Sequence, residues 1–334
     1  MDFEPSFDEG SGGSSSSTSL FATPQHIAPV TPGYLAHDAL LYSDVEEYVE
    51  GVRTVVQEGA EADEPVLIAV PEPRLGVLRA ALDSGEAALS FVDMRHEGRN
   101  PGRILPLIRA FADEHAGRGV RLVSEPIWPE RAAAEIVEGH RHEALVNLGL
   151  AGCDAHIVCP YDTGGLDEGV IAEAARTHPT LVTHGVRHAS TDFRDPLEIY
   201  AAAGHSLTPA PENTVAISLH EGLVGVRRDI ERHVARELAQ NRVAELVIAA
   251  NEAVANTMRH AGGEGAARMW RDDGRVVVEV ADRGHITDPF VGRRLPDVFE
   301  ESGRGVWLMH QLCDLVELRS SEAGTVVRLH MSFD

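Results

Sequence analysis

The run Glu252-Ala253-Val254-Ala255-Asn256 places a carboxylate and a carboxamide one helical turn apart in the second half of this 334-residue chain. Apolar side chains recur at helical spacing from residue 242 to residue 260, on the face opposite Glu252 and Asn256. Such a pair can belong to a solvated polar face. It can also supply the base and the metal ligand of a nucleotide site, and the segments that follow favour the second interpretation.

Three further segments follow this helix in a fixed order. A predicted strand at residues 276–280 leads into Asp282-Arg283-Gly284, where a carboxylate can accept a hydrogen bond from an exocyclic amine and a glycine admits a flat base. The run Gly303-Arg304-Gly305-Val306 then opens a helix whose backbone N–H groups can face phosphates. Finally, Gly324-Thr325 begins the last strand.

In this order and spacing, the segments resemble the N, G1 and G2 boxes of the GHKL ATPases, the superfamily of histidine kinases and gyrase. The sequences of residues 252–260 and 303–308 are similar to the corresponding motifs of the anti-sigma-factor serine/threonine kinases of bacteria. The resemblance spans residues 213 to 332 and implies an α+β sandwich with ATP and Mg²⁺ as cofactors. It also implies two partners, a sigma factor and an anti-anti-sigma (STAS-type) protein, and a homodimer.

The resemblance assigns roles to matching positions of this chain. Asn256 would ligate Mg²⁺, and Glu252 would orient or deprotonate the attacking hydroxyl. Asp282 would recognise the adenine amino group with Gly284 beside the ring, and Thr325 would support Asp282 or an ordered water. Arginines supply the positive charge that phosphates need in a chain without lysine. The residues expected at the phosphates are His260, Arg293, Arg294, Gly303, Arg304 and Gly305.

One position departs from the pattern of these ATPases. The family continues Asp-x-Gly with a second glycine, whereas this chain has Ile286 there. A β-branched residue does not easily adopt positive φ, so we expect the start of the ATP lid to follow another path. The lid segment, residues 285–302, is also short.

The first half of the chain shows apolar runs that alternate with helical periods, which predicts a mostly parallel α/β sheet. Five of its segments stand out, namely His37, residues 125–128, residues 141–147, residues 159–162 and His178-Pro179. These segments resemble the MEDS sensory domain, which implies a degenerate RecA-like fold. Strands are expected at residues 40–42, 66–70, 89–92, 120–123 and 156–159, and helices at 45–58, 103–115 and 132–148.

A small-molecule pocket is expected at the carboxyl ends of these strands. Its candidate lining residues are Glu125, Glu143, Tyr161 and Asp162. Trp128 and Cys159 are expected to serve packing. A metal site at His184 and His188, with Cys153 and Cys159 upstream, is the less favoured interpretation of those side chains.

Composition excludes several classes of protein. All 29 basic side chains are arginine, which excludes P-loop enzymes, eukaryotic-type protein kinases and Schiff-base lysine chemistry. The net charge of −24 disfavours nucleic acid as a partner. The three cysteines match no disulfide framework, and no apolar run is long enough for a membrane span. We therefore expect a cytoplasmic protein.

These observations divide the chain into a disordered tail (residues 1–33), a MEDS-like sensory domain (34–190), a linker (191–212) and an ATPase domain (213–334). Two alternatives to a serine/threonine kinase remain. A sensor histidine kinase needs a phosphoacceptor histidine on a helical hairpin, for which the proline-rich linker is short and His233 is a poor substitute. A non-catalytic switch would bind nucleotide and change partner affinity without phosphate transfer.

Overall fold

The computed structural model describes residues 34–82, 88–204, 207–296 and 304–333, so the expected disordered tail lies outside the described residues. The first domain alternates strands and helices along the chain. Its elements are β1 (Leu35–Tyr42), α1 (Val45–Ala62), β2 (Val66–Val70), α2 (Arg74–Ala81), β3 (Leu89–Asp93), α3 (Ile104–Glu114), β4 (Val120–Ser124), α4 (Ala133–Gly149), β5 (Ala155–Asp162), α5 (Glu168–Thr177), β6 (Thr180–Thr183), β7 (Val186–Ala189) and α6 (Pro196–Ala203).

The strands of the first domain form one sheet in the order β3-β2-β4-β5-β1-β6-β7. Every pairing in it is parallel except that of β6 with the edge strand β7. Alternate strand residues pack against α1 and α2 on one face and against α3, α4 and α5 on the other. The predicted mostly parallel α/β sheet is confirmed.

The second domain has the order strand, two helices, two strands, helix and two strands. Its elements are β8 (Val215–Ile217), α7 (Gly222–Val234), α8 (Gln240–His260), β9 (Gly265–Asp272), β10 (Arg275–Asp282), α9 (Arg304–Leu312), β11 (Leu315–Ser321) and β12 (Gly324–Ser332). The strands form an antiparallel sheet in the order β11-β12-β10-β9-β8. Its apolar face packs against all three helices, which confirms the predicted α+β sandwich.

Part of the segment predicted as a linker is helical. Asp195 caps α6 by accepting hydrogen bonds from the backbone N–H groups of Leu197 and Glu198, and Pro196 occupies the first turn. Proline is favoured at that position, so the residue that suggested a linker instead begins a helix. The buried Ile199 and the ring of Tyr200 hold α6 against the first domain.

The two domains contact each other through buried polar groups. Glu138 of α4 lies 2.6 Å from Arg319 and 2.9 Å from Arg293 of the second domain, and 3.0 Å from Arg141 of its own helix. Arg141 also donates to the carbonyl oxygen of Leu318, which covers the edge strand β11. Asn100 donates to two carbonyl oxygens at the C-terminal end of α9. Within the described residues, no helix has the length and apolar character needed to cross a bilayer.

Candidate functional site

Helix α8 holds Glu252 and Asn256 at the edge of the hydrophobic core of the second domain. The apolar positions predicted from the periodicity are buried against the sheet, while Glu252 and Asn256 are half-buried on the side that faces α9. The Glu252 side chain is 36% exposed, and Arg259 lies 3.8 Å from its Oε2 atom. Arg259 also donates to Asn256 Oδ1 at 3.2 Å. The pair therefore sits on a rigid helix and remains accessible.

The N-terminus of α9 abuts this pair. A Cβ atom placed on Gly305 would lie 2.7 Å from Glu252 Oε2 and 3.5 Å from Asn256 Nδ2, so a side chain there would displace the carboxylate. The first residue of α9, Arg304, is exposed at the same end. Gly303 lies outside the described residues. Backbone N–H groups in the first turn of a helix point out of its N-terminus, so this end of α9 is a place where an anion can bind.

Asp282 is held at the end of β10 by two hydrogen bonds. Thr257 Oγ1 donates to its Oδ2 at 2.7 Å, and the backbone N–H of Gly284 donates to its Oδ1 at 2.7 Å. Thr325, which pairs with Asp282 across the sheet, donates to the carbonyl oxygen of Gly284 at 2.8 Å. The carboxylate is thus fixed in orientation and keeps further lone pairs for a ligand.

Sequence reasoning missed Thr257 and Ser320. Thr257 follows Asn256 directly, and Ser320 Oγ lies 2.8 Å from Thr325 Oγ1. Ser320 also accepts the backbone N–H of Ile286 at 2.8 Å. The backbone φ angle of Ile286 is not positive. Its side chain packs against the hydrophobic core of the second domain. The different path expected for the start of the lid stays a prediction.

The candidate phosphate residues do not all converge. His260 ends α8 and is exposed. Arg294 is exposed and stacks on the ring of Phe290, with its guanidinium 4.2 Å from the ring centroid. Arg293 is 4% exposed and pairs with Glu138 of the first domain, so it contacts the domain interface instead of the N-terminus of α9. Burial next to a carboxylate makes Arg293 a structural cation, contrary to the role expected for it.

A cavity of about 890 Å³ opens beside Asp282. One wall consists of the β11–β12 hairpin and the segment after β10, with Asp282, Ile286 and Gly324. The opposite wall is α6 together with Arg141 of α4, so the first domain lines part of it. A ligand that fills this cavity from Asp282 to Arg141 would contact both domains.

The four candidate pocket residues of the first domain separate into two clusters. Arg74 follows β2, at the position where a phosphate loop would lie. Its guanidinium group forms ion pairs with Glu125 at 2.5 Å and with Asp162 at 2.7 Å. Burial raises the pKa of Glu125 to about 8, although Arg74 opposes this shift. Glu143 and Tyr161 instead belong to a separate buried group with His37, Cys159 and His178. Cys159 was expected to serve packing, but its thiol also has polar neighbours.

The histidines considered for metal are not near the cysteines. His184 is exposed and lies 2.9 Å from Glu47, whereas His188 lies 3.2 Å from Thr183. The geometry gives no support to a metal site there.

Family comparisons identify two domains in the chain. Residues 36–179 match MEDS, the methanogen/methylotroph, DcmR sensory domain. Residues 218–331 match the histidine kinase-like ATPase domain. The chain joins a MEDS domain to a histidine kinase-like ATPase domain. The resemblance to these two families is thereby confirmed, and Glu252, Asn256, Asp282, Gly305 and Thr325 all lie within the ATPase domain.

One solved structure among those similar to this chain contains the RsbU and RsbW domains of a Mycobacterium tuberculosis protein. The sequence identity is 18% and the TM-score is 0.28. The match covers 37% of this chain and 33% of that chain, so this chain spans about a third of the length of that neighbour. No curated protein matches the chain.

Proposed function

We propose that the protein is an ATP-binding regulator of the anti-sigma-factor type. In this proposal the ATPase domain binds Mg-ATP, phosphorylates a serine or threonine of an anti-anti-sigma (STAS-type) partner and sequesters a sigma factor, under control of the MEDS domain. The observation that carries the proposal is the convergence of Glu252, Asn256 and the N-terminus of α9 near a fixed Asp282. The identities of the partners rest on the resemblance of the motifs.

The residues present fit a metal-bound nucleotide. Gly305 leaves open the space where a side chain would meet Glu252, and Asn256 Oδ1 is an oxygen donor of the kind that Mg²⁺ prefers. Bound Mg²⁺ would neutralise phosphate charge. Asn256 would hold it, the N–H groups of α9 would face the phosphates, and Asp282 would accept the adenine amino group. Arg304 and Arg259 are the nearby cations proposed to balance the remaining negative charge.

Gly324 tests the proposed adenine contact. It has φ of +133°, and a Cβ atom there would collide with the backbone carbonyl oxygen of Asp282. We expect Gly324→Ala to cost about 1 to 3 kcal/mol of stability and to weaken ATP binding about tenfold through displacement of Asp282. Urea denaturation and calorimetric titration measure the two effects.

Gly274→Ala is the matched control, because Gly274 also has positive φ in a hairpin of the same sheet but no atom lies within 4 Å of the added Cβ. It should lose stability and keep its affinity for ATP. Equal affinity in the two variants would show that the position of Asp282 does not matter for binding.

Two observations favour a hydroxyl acceptor on another protein over a histidine of this chain. Residues 207–214, between α6 and β8, contain no helix that could carry a phosphoacceptor. His233 lies on α7, where its Nδ1 donates to the carbonyl oxygen of Asp229 at 2.7 Å. The carboxylate of Glu252, in contrast, is exposed enough to receive the proton of an incoming hydroxyl group.

Control by the MEDS domain is proposed from the interface. Helix α6 and Arg141 line the cavity beside Asp282, and Glu138 holds Arg293 of the segment that leads to α9. A change in the packing of α4 or α6 would therefore alter both the adenine side of the site and the middle of the lid segment.

Phosphate transfer tests the kinase activity. With labelled ATP and a STAS-type protein purified from the same cells, we expect Glu252→Gln to lower the rate of transfer by about 10²- to 10⁴-fold, the usual contribution of a general base. Affinity for ATP should change little, because glutamine keeps the size of the side chain.

The control is Glu245→Gln, which changes the same residue type about two turns earlier on α8 and should retain transfer. If the wild type binds ATP but labels no partner, the non-catalytic switch replaces the kinase. If the label appears on this chain itself as phosphohistidine, the histidine kinase interpretation is right.

A further inference from the structure

A buried group of four side chains in the MEDS domain has the chemistry of a metal site. His37 of β1, Glu143 of α4, Cys159 of β5 and His178 after α5 are each at most 2% exposed. One donor atom from each lies within 4.8 Å of all the others. The group lies on the face of the sheet covered by α4 and α5, and the proposed nucleotide chemistry does not use it.

The hydrogen bonds of His37 fix its tautomer. The amide nitrogen of Asn147 donates to the carbonyl oxygens of Glu143 and Thr177, so its Oδ1 must face His37 as an acceptor. His37 Nδ1 therefore donates to Asn147 Oδ1 at 3.1 Å. Its Nε2 atom faces Glu143 Oε2 at 3.1 Å and Cys159 Sγ at 3.5 Å. In a neutral ring with its proton on Nδ1, Nε2 and Oε2 are two acceptors that face each other, an arrangement that a cation bound by both would satisfy.

His178 is oriented in the same way. Its Nδ1 donates to the carbonyl oxygen of Ala174 at 2.8 Å. Its Nε2 points at Glu143 Oε2 from 3.6 Å, which is too far for a hydrogen bond. Nε2 has no hydrogen-bond partner among the described residues, although the side chain is fully buried. In the neutral ring with its proton on Nδ1, Nε2 carries a lone pair directed at this group.

Glu143 is also held by a neighbour. Tyr161 donates to its Oε1 at 3.1 Å, which leaves Oε2 directed at the two histidines and Cys159. Metal-binding histidines almost always donate their other ring N–H to a carbonyl oxygen or a carboxylate, and both histidines here donate to carbonyl oxygens.

We propose that His37 Nε2, His178 Nε2, Glu143 Oε2 and Cys159 Sγ bind a divalent transition-metal ion of the zinc type. Two imidazoles, one thiolate and one carboxylate are typical zinc ligands, and tetrahedral coordination separates such atoms by about 3.3 to 3.6 Å. Four of the six pairs are separated by 3.1 to 3.6 Å, close to that spacing, and all pairs lie within 4.8 Å. Binding releases the proton of the Cys159 thiol to solvent.

The location gives the ion a structural consequence. Glu143 lies on α4, the same helix whose Glu138 and Arg141 contact the ATPase domain. A metal that anchors Glu143 therefore stabilises the helix that holds both domains together.

Metal loading of the full-length protein tests the proposal. The purified chain is stripped with a chelator, dialysed against Zn²⁺ or Co²⁺ and freed of excess ion. We expect one equivalent of zinc by elemental analysis. The cobalt form should show a sulfur-to-cobalt charge-transfer band with intense d–d bands, as a tetrahedral thiolate site does. Zinc should also raise the melting temperature, because the ion binds the folded state.

Cys159→Ser should abolish the charge-transfer band, whereas Cys153→Ser, the control at a half-buried cysteine, should retain it. Circular dichroism establishes that each variant is folded, and His178→Ala is a second variant should Cys159→Ser fail to fold. A wild type that retains no zinc and develops no cobalt spectrum overturns the proposal, and His37 and Glu143 are then an ion pair. A charge-transfer band that persists in folded Cys159→Ser also overturns it.

Discussion

Replacing Glu138 with glutamine is expected to lower the free energy of unfolding by about 3 to 5 kcal/mol, the usual cost of removing one partner from a buried ion pair. The Glu138 side chain is 1% exposed and contacts Arg141, Arg293 and Arg319 within 3.0 Å. Glutamine preserves the shape of the side chain but removes the carboxylate that three buried guanidinium groups share. Urea denaturation at neutral pH measures the loss.

The pH dependence of this effect has a definite sign. Burial would raise the pKa of Glu138, but Arg141, Arg319 and Arg293 overcome that effect and lower it to about 2. A depressed pKa contributes stability above the unfolded value, near 4.3, and loses it as the pH falls toward 2. The difference between wild type and Glu138→Gln should therefore be constant from neutral pH down to about pH 5 and shrink below that.

A surface carboxylate provides the control. Glu173 pairs with Arg176 at 2.7 Å, and both side chains are about two-fifths exposed. Glu173→Gln should cost no more than about 1 kcal/mol. Equal stability of the two variants would contradict the assignment of Glu138 as the centre of the domain interface.

Local patterns predicted much of this molecule. The apolar face of α8 and the position of Asp282 at the end of β10 follow from spacing along a single element. The order of strands and helices also predicted both fold classes. Alternating strands and helices indicated the parallel sheet of the first domain, and paired helices between strands indicated the α+β sandwich of the second.

Local sequence patterns could not predict contacts between residues that are far apart in the chain. Arg293 was expected at phosphates, since an arginine in a polar loop gives no sign of a carboxylate 155 residues earlier. Thr257 borders Asn256, yet its hydrogen bond to Asp282 depends on how α8 packs against β10. The group of His37, Glu143, Cys159 and His178 comes from four separate elements, so no spacing of metal ligands marks it.

Loss of nucleotide binding is the largest effect expected within the ATPase domain. Asn256→Ala removes the proposed Mg²⁺ ligand from a half-buried position on α8 and leaves the helix intact. Removing a side chain that only orients a metal ligand already lowers metal affinity by about 10- to 100-fold. We therefore expect Asn256→Ala to weaken the binding of ATP in Mg²⁺ by at least about 100-fold.

Asn241 is the matched control, because it is an exposed asparagine near the start of the same helix. Asn241→Ala should bind ATP as the wild type does. Circular dichroism and thermal melting should show no difference between the two variants.

Calorimetric titration of the full chain with ATP, with and without Mg²⁺, tests the central claim most directly. The account predicts one site per chain in the wild type, whose affinity depends on Mg²⁺ and falls by at least about 100-fold in Asn256→Ala. An affinity that is the same in Asn256→Ala as in the wild type, or no binding by the wild type, would contradict it.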